Sequence, residues 1–532
     1  MTMTNTASEY RRFRAPAEHG AVLAEPSLHE APGLVVENRL RRESWLRELQ
    51  GRWFHDLARQ ARRDLGRAAR RYTRQYLEVD DSDDCQTDVP IVATGHQPEL
   101  FHPGVWIKNF ANSAIAKSVG ARAIHLIIDN DAVANPSIRV PGGTFATPKM
   151  RTIAYDAASP ETPYENRLVR DRSIFESFSK RLQEGLAPFV KQPLVRDYWP
   201  RAVEVARVHG NLGHAVAQAR HEWEAAWGVR SCELPLSCVC DQEAFRWFLV
   251  HLLAHLPRFR EVYNTSLVEY RRAHRLRSRT HPVPELACEG PWLEAPFWVW
   301  REDKPRRERL FVRRSGHQLE LSDRRQSLGF LPLDAESEAE AAVAVCADWS
   351  ARGWRLRPRA LLTTMFARMF LCDLFIHGIG GAKYDQLTDV IIQRFFGFDP
   401  PAFMVLTATA KLPLHGTSTT MADVRRLDGL LRELHYNPQR HVALDAVTRP
   451  LVEAKQRWIS TADANLDRRT RHQELECINE RLQPFVAGQR EELIKQRTDL
   501  LSQIKRDRVL GSREFAFCAF PAETLRPLLL DI

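Results

Sequence analysis

A chain of 532 residues, with 44% hydrophobic and 9% aromatic residues, is long enough for several compact units and too apolar to be disordered throughout. No run of about 18 apolar residues is present, which argues against a membrane-spanning helix. The net charge of +9 comes from 76 Lys plus Arg against 67 Asp plus Glu, so a nucleic-acid partner is not demanded. Such a balance suits a site for anionic small molecules equally well.

Residues 1–37 open without an apolar signal core and are read as a disordered leader. Nine cysteines, scattered from Cys85 to Cys518, suit a reducing compartment and hence the cytoplasm. From Asn38 to Leu77 apolar residues recur at three- and four-residue steps, predicting a helix whose other face is crowded with arginines. That face is either solvated or a surface for RNA or another anionic partner. The acidic run Asp80-Asp81-Ser82-Asp83-Asp84 is read as a linker.

Val89 to Ala93 is a short apolar run that leads into Thr94-Gly95-His96-Gln97-Pro98-Glu99-Leu100-Phe101-His102-Pro103-Gly104, which reads as a loop. A helical pattern starts at Val105 and carries Lys108 in its first turn. The run Ala123 to Ile128 is then a buried strand ending in Asp129-Asn130-Asp131. Strand, helix and strand make a βαβ unit and imply a parallel sheet. Residues 38–150 thus hold the N-terminal helix and the first half of an α/β core. Residues 151–356 read as a mostly helical insertion with short strands at Phe297 to Trp300 and Leu310 to Arg313. The core resumes over 357–420, with a buried helix at Leu361 to Ile376, a glycine-rich break from His377 to Asp385, and a helix from Leu387 to Phe396. Residues 421–532 read as a coiled-coil arm, interrupted or kinked at Pro484, and a terminal strand at Glu514 to Phe520.

Ligands of parallel sheets collect at the carboxyl ends of strands, beside helix N-termini. His96, His102 and Lys108 suit phosphate or carboxylate charge there, or else the histidines cap backbone groups. Asp129 and Asp131 are candidates to orient an amine or act as general base, and equally are ordinary strand-ending residues. In the second segment Gly378, Gly380 and Gly381 permit close approach to a ligand beside His377 and Lys383, although a glycine-capped turn explains the same pattern. Cys232, Cys238, Cys240, His251 and His255 have metal-like spacing, but the histidines sit in an apolar run, and no metal is expected.

Thr94, Gly95, Gln97, Pro98, Leu100, Gly104, Lys108 and Asp129 to Asp131 together resemble the cysteine-adding enzymes of bacillithiol biosynthesis. Arg357-Pro358 and Gly380-Gly381 are similar to a second segment of that family. The chain lacks the family's Glu-Asp-His-Asp signature after the second strand, where Asp129-Asn130-Asp131 stands. The resemblance implies a Rossmann-like parallel-sheet core with helical insertions and a C-terminal α-helical coiled-coil arm that supports a homodimer. It also implies a ligase joining cysteine, or another amino acid, to an amine of a sugar conjugate, with ATP as activator. His96, His102 and Lys108 would then stabilise phosphate charge, and Asp129 or Asp131 would position or deprotonate the amine. Thr94, Gly95, Gln97, Gly104, Asn130, His377, Gly380, Gly381 and Lys383 would bind substrate or nucleotide. The alternatives are a non-catalytic RNA- or partner-binding protein using the arginine-rich helix, and a nucleotidyl- or group-transfer enzyme on the same scaffold.

Overall fold

The computed structural model describes residues 10–79, 88–278, 280–334, 336, 338–414, 419–460 and 468–531. It is a mixed α/β protein of two compact units, one falling within Met1–Val140, Thr152–Ala410 and Arg513–Ile532, the other within Pro141–Arg151 and Lys411–Ser512. Among the described residues no helix is long and apolar enough to cross a membrane. The acidic run 80–84 lies outside the described residues.

The larger unit is built on a six-stranded sheet of β1 (Val22–Glu25), β2 (Ile91–His96), β3 (Arg122–Ile127), β4 (Cys232–Pro235), β5 (Leu374–His377) and β6 (Met404–Ala408). Their order across the sheet is β1-β6-β5-β2-β3-β4. β1 is antiparallel to β6, and every other pairing is parallel. The middle strands are apolar on both faces, as a sheet covered on both sides requires: Ile91, Val92, Ala93, Ile124, Leu126, Leu374 and Ile376 are all buried. From β2 the chain proceeds outward through β3 to β4, whereas from β5 it proceeds the other way to β6. The strand order therefore reverses between β2 and β5, and a crevice opens at the carboxyl ends of such a pair.

Several expectations change. Residues 22–37 are not a disordered leader, because β1 pairs with β6 and α1 (Ala31–Glu43) begins before residue 38. The single helix expected from Asn38 to Leu77 is α1 and α2 (Phe54–Thr73), parted by a hairpin whose turn holds Gln50 and Gly51 at φ 46° and 92°. Glycine reaches that region without steric cost, so the turn forms although the hydrophobic period runs through it. The two helices send Arg42 and Arg62 onto the buried Asp373, whose carboxylate also accepts the backbone N–H of Ile91 at 2.7 Å. This ion cluster fixes the entrances of β2 and β5 side by side.

Residues 151–356 are more than a helical insertion. They contribute β4 to the core and an antiparallel sheet of strands 288–289, 292–301, 304–315, 318–322 and 327–331, to which 354–358 adds. The helix expected over Leu361 to Ile376 is α3 (Ala360–Phe366), continued by a wider turn to Leu371, after which the chain enters β5. Glu514 to Phe520 forms a turn and a single 3-10 turn rather than a strand. Phe515, Phe517 and Phe520 are nevertheless fully buried, with Phe517 4.5 Å from Trp106 between ring centroids, so the aromatic alternation reports burial without sheet pairing.

In the smaller unit, helix Arg468–Leu510 runs unbroken through Pro484, which is exposed, so the carbonyl it leaves unbonded faces water. This helix packs on helices of its own chain: Ile478 and Leu482 join Leu451 in one apolar cluster with Val452 and Trp458.

Candidate functional site

A cleft of about 880 Å³ opens at the strand-order reversal, lined entirely by residues of the larger unit. Its floor is made by the ends of β2 and β5 and by the helices that follow them, which are α4 (Pro103–Ser118) and α5 (Ile379–Ile391). Both helices begin at the cleft, with His102 and Gly378 as their N-caps. At α4 Pro103 has no N–H and the Val105 N–H bonds the His102 carbonyl, which leaves Gly104, whereas at α5 Ile379, Gly380 and Gly381 precede the first helical bond, from Ala382 to Gly378. Each end keeps its positive dipole for an anion.

Gly95 and His96 prove to be the last residues of β2 rather than loop. His96 donates through Nδ1–H to the Gln97 carbonyl, 3.2 Å away, and its ring meets Phe101 edge-on. Burial, with Lys108 adding to it, lowers its pKa to about 3, so the imidazole is neutral at physiological pH. His102 is lowered to about 4 by burial, and its Nδ1 is buried with no hydrogen-bond partner among the described residues. Lys108, 2% exposed, donates to the Gly95 carbonyl at 3.0 Å, and burial followed by Arg220 brings its pKa down to about 7. Gly104 is required by close approach: a Cβ there would lie 2.2 Å from the Ala408 carbonyl and 2.6 Å from Arg513 Nη2.

After β3 the acidic residues part. Asp131 lines the cleft, accepts from Gln97 Nε2 at 2.9 Å and pairs with Arg307 at 2.8 Å. Asn130 also lines it and donates to the Pro358 carbonyl. Asp129 does not face the cleft: it accepts from the backbone N–H and hydroxyl of Ser237, at 2.9 and 2.5 Å, and so caps the short helix Leu236–Cys240. Burial, then Glu165, raises its pKa to about 7. Thr94 likewise turns inward, binding the Ile376 carbonyl at 2.9 Å and locking β2 to β5. Of the two aspartates expected as candidates at the ligand, Asp131 lines the cleft and Asp129 does not.

The break expected from His377 to Asp385 is the end of β5 and the first two turns of α5. His377, Gly380, Gly381 and Lys383 all line the cleft, and Gly378 and Gly380 face open space where a side chain would stand. His377 is 3% exposed, and its Nε2 lies against the fully buried carboxylate of Asp385. Asp385 also accepts from the Thr364 hydroxyl at 2.5 Å and has Arg368 Nη1 3.2 Å away.

Of the opposite wall the sequence showed only two short strands, Phe297 to Trp300 and Leu310 to Arg313, and none of its site residues. Trp298 and Arg307 come from the antiparallel sheet, and Arg359 precedes α3. Both guanidiniums lie over the Trp298 ring, at 5.0 and 4.3 Å from its centroid. Arg359 is anchored by Glu294 at 2.7 Å. Arg513 and Glu514 complete the rim. A signal for Arg359 existed in its place beside Arg357-Pro358. Arg307, inside Arg306-Arg307-Glu308-Arg309, is indistinguishable by sequence from its neighbours. The cationic groups at the cleft, Lys108, Arg307, Arg359, Lys383 and Arg513, outnumber Asp131 and Glu514, which suits an anionic ligand.

The Cys and His set with metal-like spacing is not assembled. His251 and His255 both bind Gln50 Oε1, at 3.2 and 2.9 Å. Among the described residues, the cluster with ligand-like spacing is His221, Glu224 and Glu233, and there Arg220 pairs with both carboxylates, at 2.6 and 2.5 Å. That guanidinium already supplies the charge compensation a cation would bring. Compared with protein-family models and with curated proteins, the chain matches none.

Proposed function

We propose that this cleft is the active site of a Rossmann-like enzyme acting on small molecules that carry phosphate or carboxylate groups. The supporting observation is convergence: two helix N-termini, a buried lysine and two stacked arginines meet at the point where strand order reverses. On the resemblance to the cysteine-adding enzymes of bacillithiol biosynthesis, the reaction is ligation of the carboxyl of cysteine, or another amino acid, to an amine of a sugar conjugate. A carboxylate oxygen is a poor leaving group, so ATP is the expected activator. Lys108 and the N-terminus of α4 would hold phosphate, while Arg307 and Arg359 would hold a carboxylate. The same reading makes the smaller unit a coiled-coil arm that pairs two copies in the cytoplasm, covering exposed Leu430, Tyr436, Phe485 and Ile494.

Purified full-length chain is expected to release ADP or AMP from ATP only when an amino acid and an amine are present. A deletion strain is expected to lose a low-molecular-weight thiol and accumulate its amine precursor. Protein that neither binds nor hydrolyses nucleotide under any such combination would overturn the reading. The second reading, a polyanion-binding face on α2, has Arg59, Arg63, Arg67 and Arg71 in its favour, all exposed at four-residue steps. Against it, Arg42 and Arg62 of the same basic stretch serve the buried Asp373. Tight RNA binding that falls steeply with salt and is indifferent to Lys108→Met would favour that second reading.

A further inference from the structure

Of the histidines at the cleft, His377 has an acidic partner that water does not reach. Asp385 is fully buried, and its carboxylate touches Nε2 as a close charge contact; neither Nε2 nor that carboxylate oxygen makes a hydrogen bond among the described residues. The opposite ring nitrogen, Nδ1, makes no hydrogen bond to the described residues and lies beside Gly381, which with His377 lines the cleft. A Cβ on Gly381 would stand 2.6 Å from Nδ1, so the glycine keeps that nitrogen uncovered. Phe375 and Phe403 hold the ring, at 4.6 and 5.3 Å between centroids. A carboxylate seated against Nε2 draws the imidazole proton to that nitrogen and leaves Nδ1 as an acceptor.

Resting on the reading of the cleft as a ligase active site, we propose that His377 is the proton acceptor of the reaction and that Asp385 is the positioning residue that fixes its tautomer. The co-reactant is an acyl phosphate, formed from the amino-acid carboxyl and the nucleotide. As the amine nitrogen attacks the acyl carbon, the N–C bond forms and the C–O bond to phosphate breaks. Phosphate leaves with the electron pair, and the amine proton passes to Nδ1. The charged groups around the ring are Asp385 and Arg368 beneath it, Lys108 from α4 and Lys383 on α5. Burial lowers the pKa of His377, opposed by Asp385, so the ring is neutral and able to accept at physiological pH. Against burial, His377 first and then Arg368 and Thr364 hold the Asp385 carboxyl below the usual carboxylate range.

The test has two arms. In full-length protein with ¹⁵N-labelled histidine, the ring-nitrogen correlations of His377, assigned by their loss in His377→Asn, are expected to show a neutral imidazole protonated at Nε2. Asp385→Asn is expected to mix the two tautomers. In the ligation assay, His377→Asn is expected to lower kcat by about a hundredfold or more, with KM within about threefold, and to remove the acid limb of the pH profile. Gly381→Ala, with an unchanged circular dichroism spectrum, is expected to lower kcat by covering Nδ1. A proton found on Nδ1, or full kcat in His377→Asn, would overturn the proposal. The first arm needs no substrate, so it decides the tautomer even if the ligation reading fails.

Discussion

The two strand ends that meet at the cleft carry similar residues and hold them differently. After β2, His96, His102 and Lys108 stand without a buried acid, and burial leaves both imidazoles neutral, with the lysine poised near pH 7. After β5, His377 lies against Asp385, itself clasped by Arg368 and Thr364. A histidine without a partner contributes shape and a hydrogen bond, whereas a histidine with a buried carboxylate has a fixed tautomer. On the proposal above, the β2 side receives charge and the β5 side moves a proton.

The largest expected effect comes from breaking the support of the β5 side. Arg368 is fully buried, and it pairs with Asp385 at 3.2 Å and Asp389 at 2.5 Å. Arg368→Met leaves Asp385 charged and buried, which is expected to cost about 3–5 kcal/mol in urea unfolding. A loss under 1 kcal/mol would mean that Asp385 does not depend on this cation. On the β2 side the corresponding weak point is steric. Gly104→Ala places a methyl 2.2 Å from the Ala408 carbonyl and is expected to cost about 1–3 kcal/mol, seen as a lower urea midpoint with unchanged slope.

What the sequence disclosed about these two sides follows from the physics of each signal. The β2-α4-β3 unit was readable because its apolar runs, its Gly-Pro interruption and its helical period are all local. Twelve of the expected site residues do line the cleft, including His96, Lys108, Asp131 and His377. Thr94 and Asp129 could not be separated from them, because which way a side chain turns at a strand end depends on its partners, Ile376 and Ser237, about 280 and 110 residues away. The reversal between β2 and β5 is likewise a property of pairing between distant strands. Asp385 read only as the end of a glycine-rich break because its role needs His377 and Arg368 in three dimensions. Of the antiparallel wall only the short strands at Phe297 to Trp300 and Leu310 to Arg313 were legible, since its arginine-rich stretches hide the alternation that marks a half-buried sheet.

A pH titration sharpens the contrast on the β2 side. With Lys108 lowered to about 7 while His96 and His102 lie near 3 and 4, the lysine is the one of these three that changes charge between pH 6 and 8. Glu99 beside His96 and Asp129 after β3, both raised to about 7 by burial, titrate in the same window but do not line the cleft. Sulfate keeps one charge state over that range, so its affinity, measured by calorimetry, is expected to rise severalfold from pH 8 to 6 in the native protein. Lys108→Met is expected to lose most of that rise, leaving the smaller part that comes from neutralising Glu99 and Asp129. The stability sign follows from the same shift. Between about pH 7 and the unfolded lysine's value near 10.4, the unfolded chain binds the extra proton, so this residue makes stability rise with pH, and the methionine variant loses that slope.

The smallest effect is expected at His102, and it tests whether the β2 histidines are more than shape. Its Nε2 is 3.9 Å from Glu514, but a ring with a pKa near 4 is uncharged at pH 7, and the contact is then no ion pair. His102→Gln is therefore expected to change stability by less than about 0.5 kcal/mol and sulfate affinity by less than about threefold at pH 7. A loss of affinity as large as that of Lys108→Met would show that this imidazole binds the anion through its unpartnered Nδ1. The division between a charge-receiving and a proton-moving side would then have to include a neutral hydrogen-bond donor at the N-cap of α4.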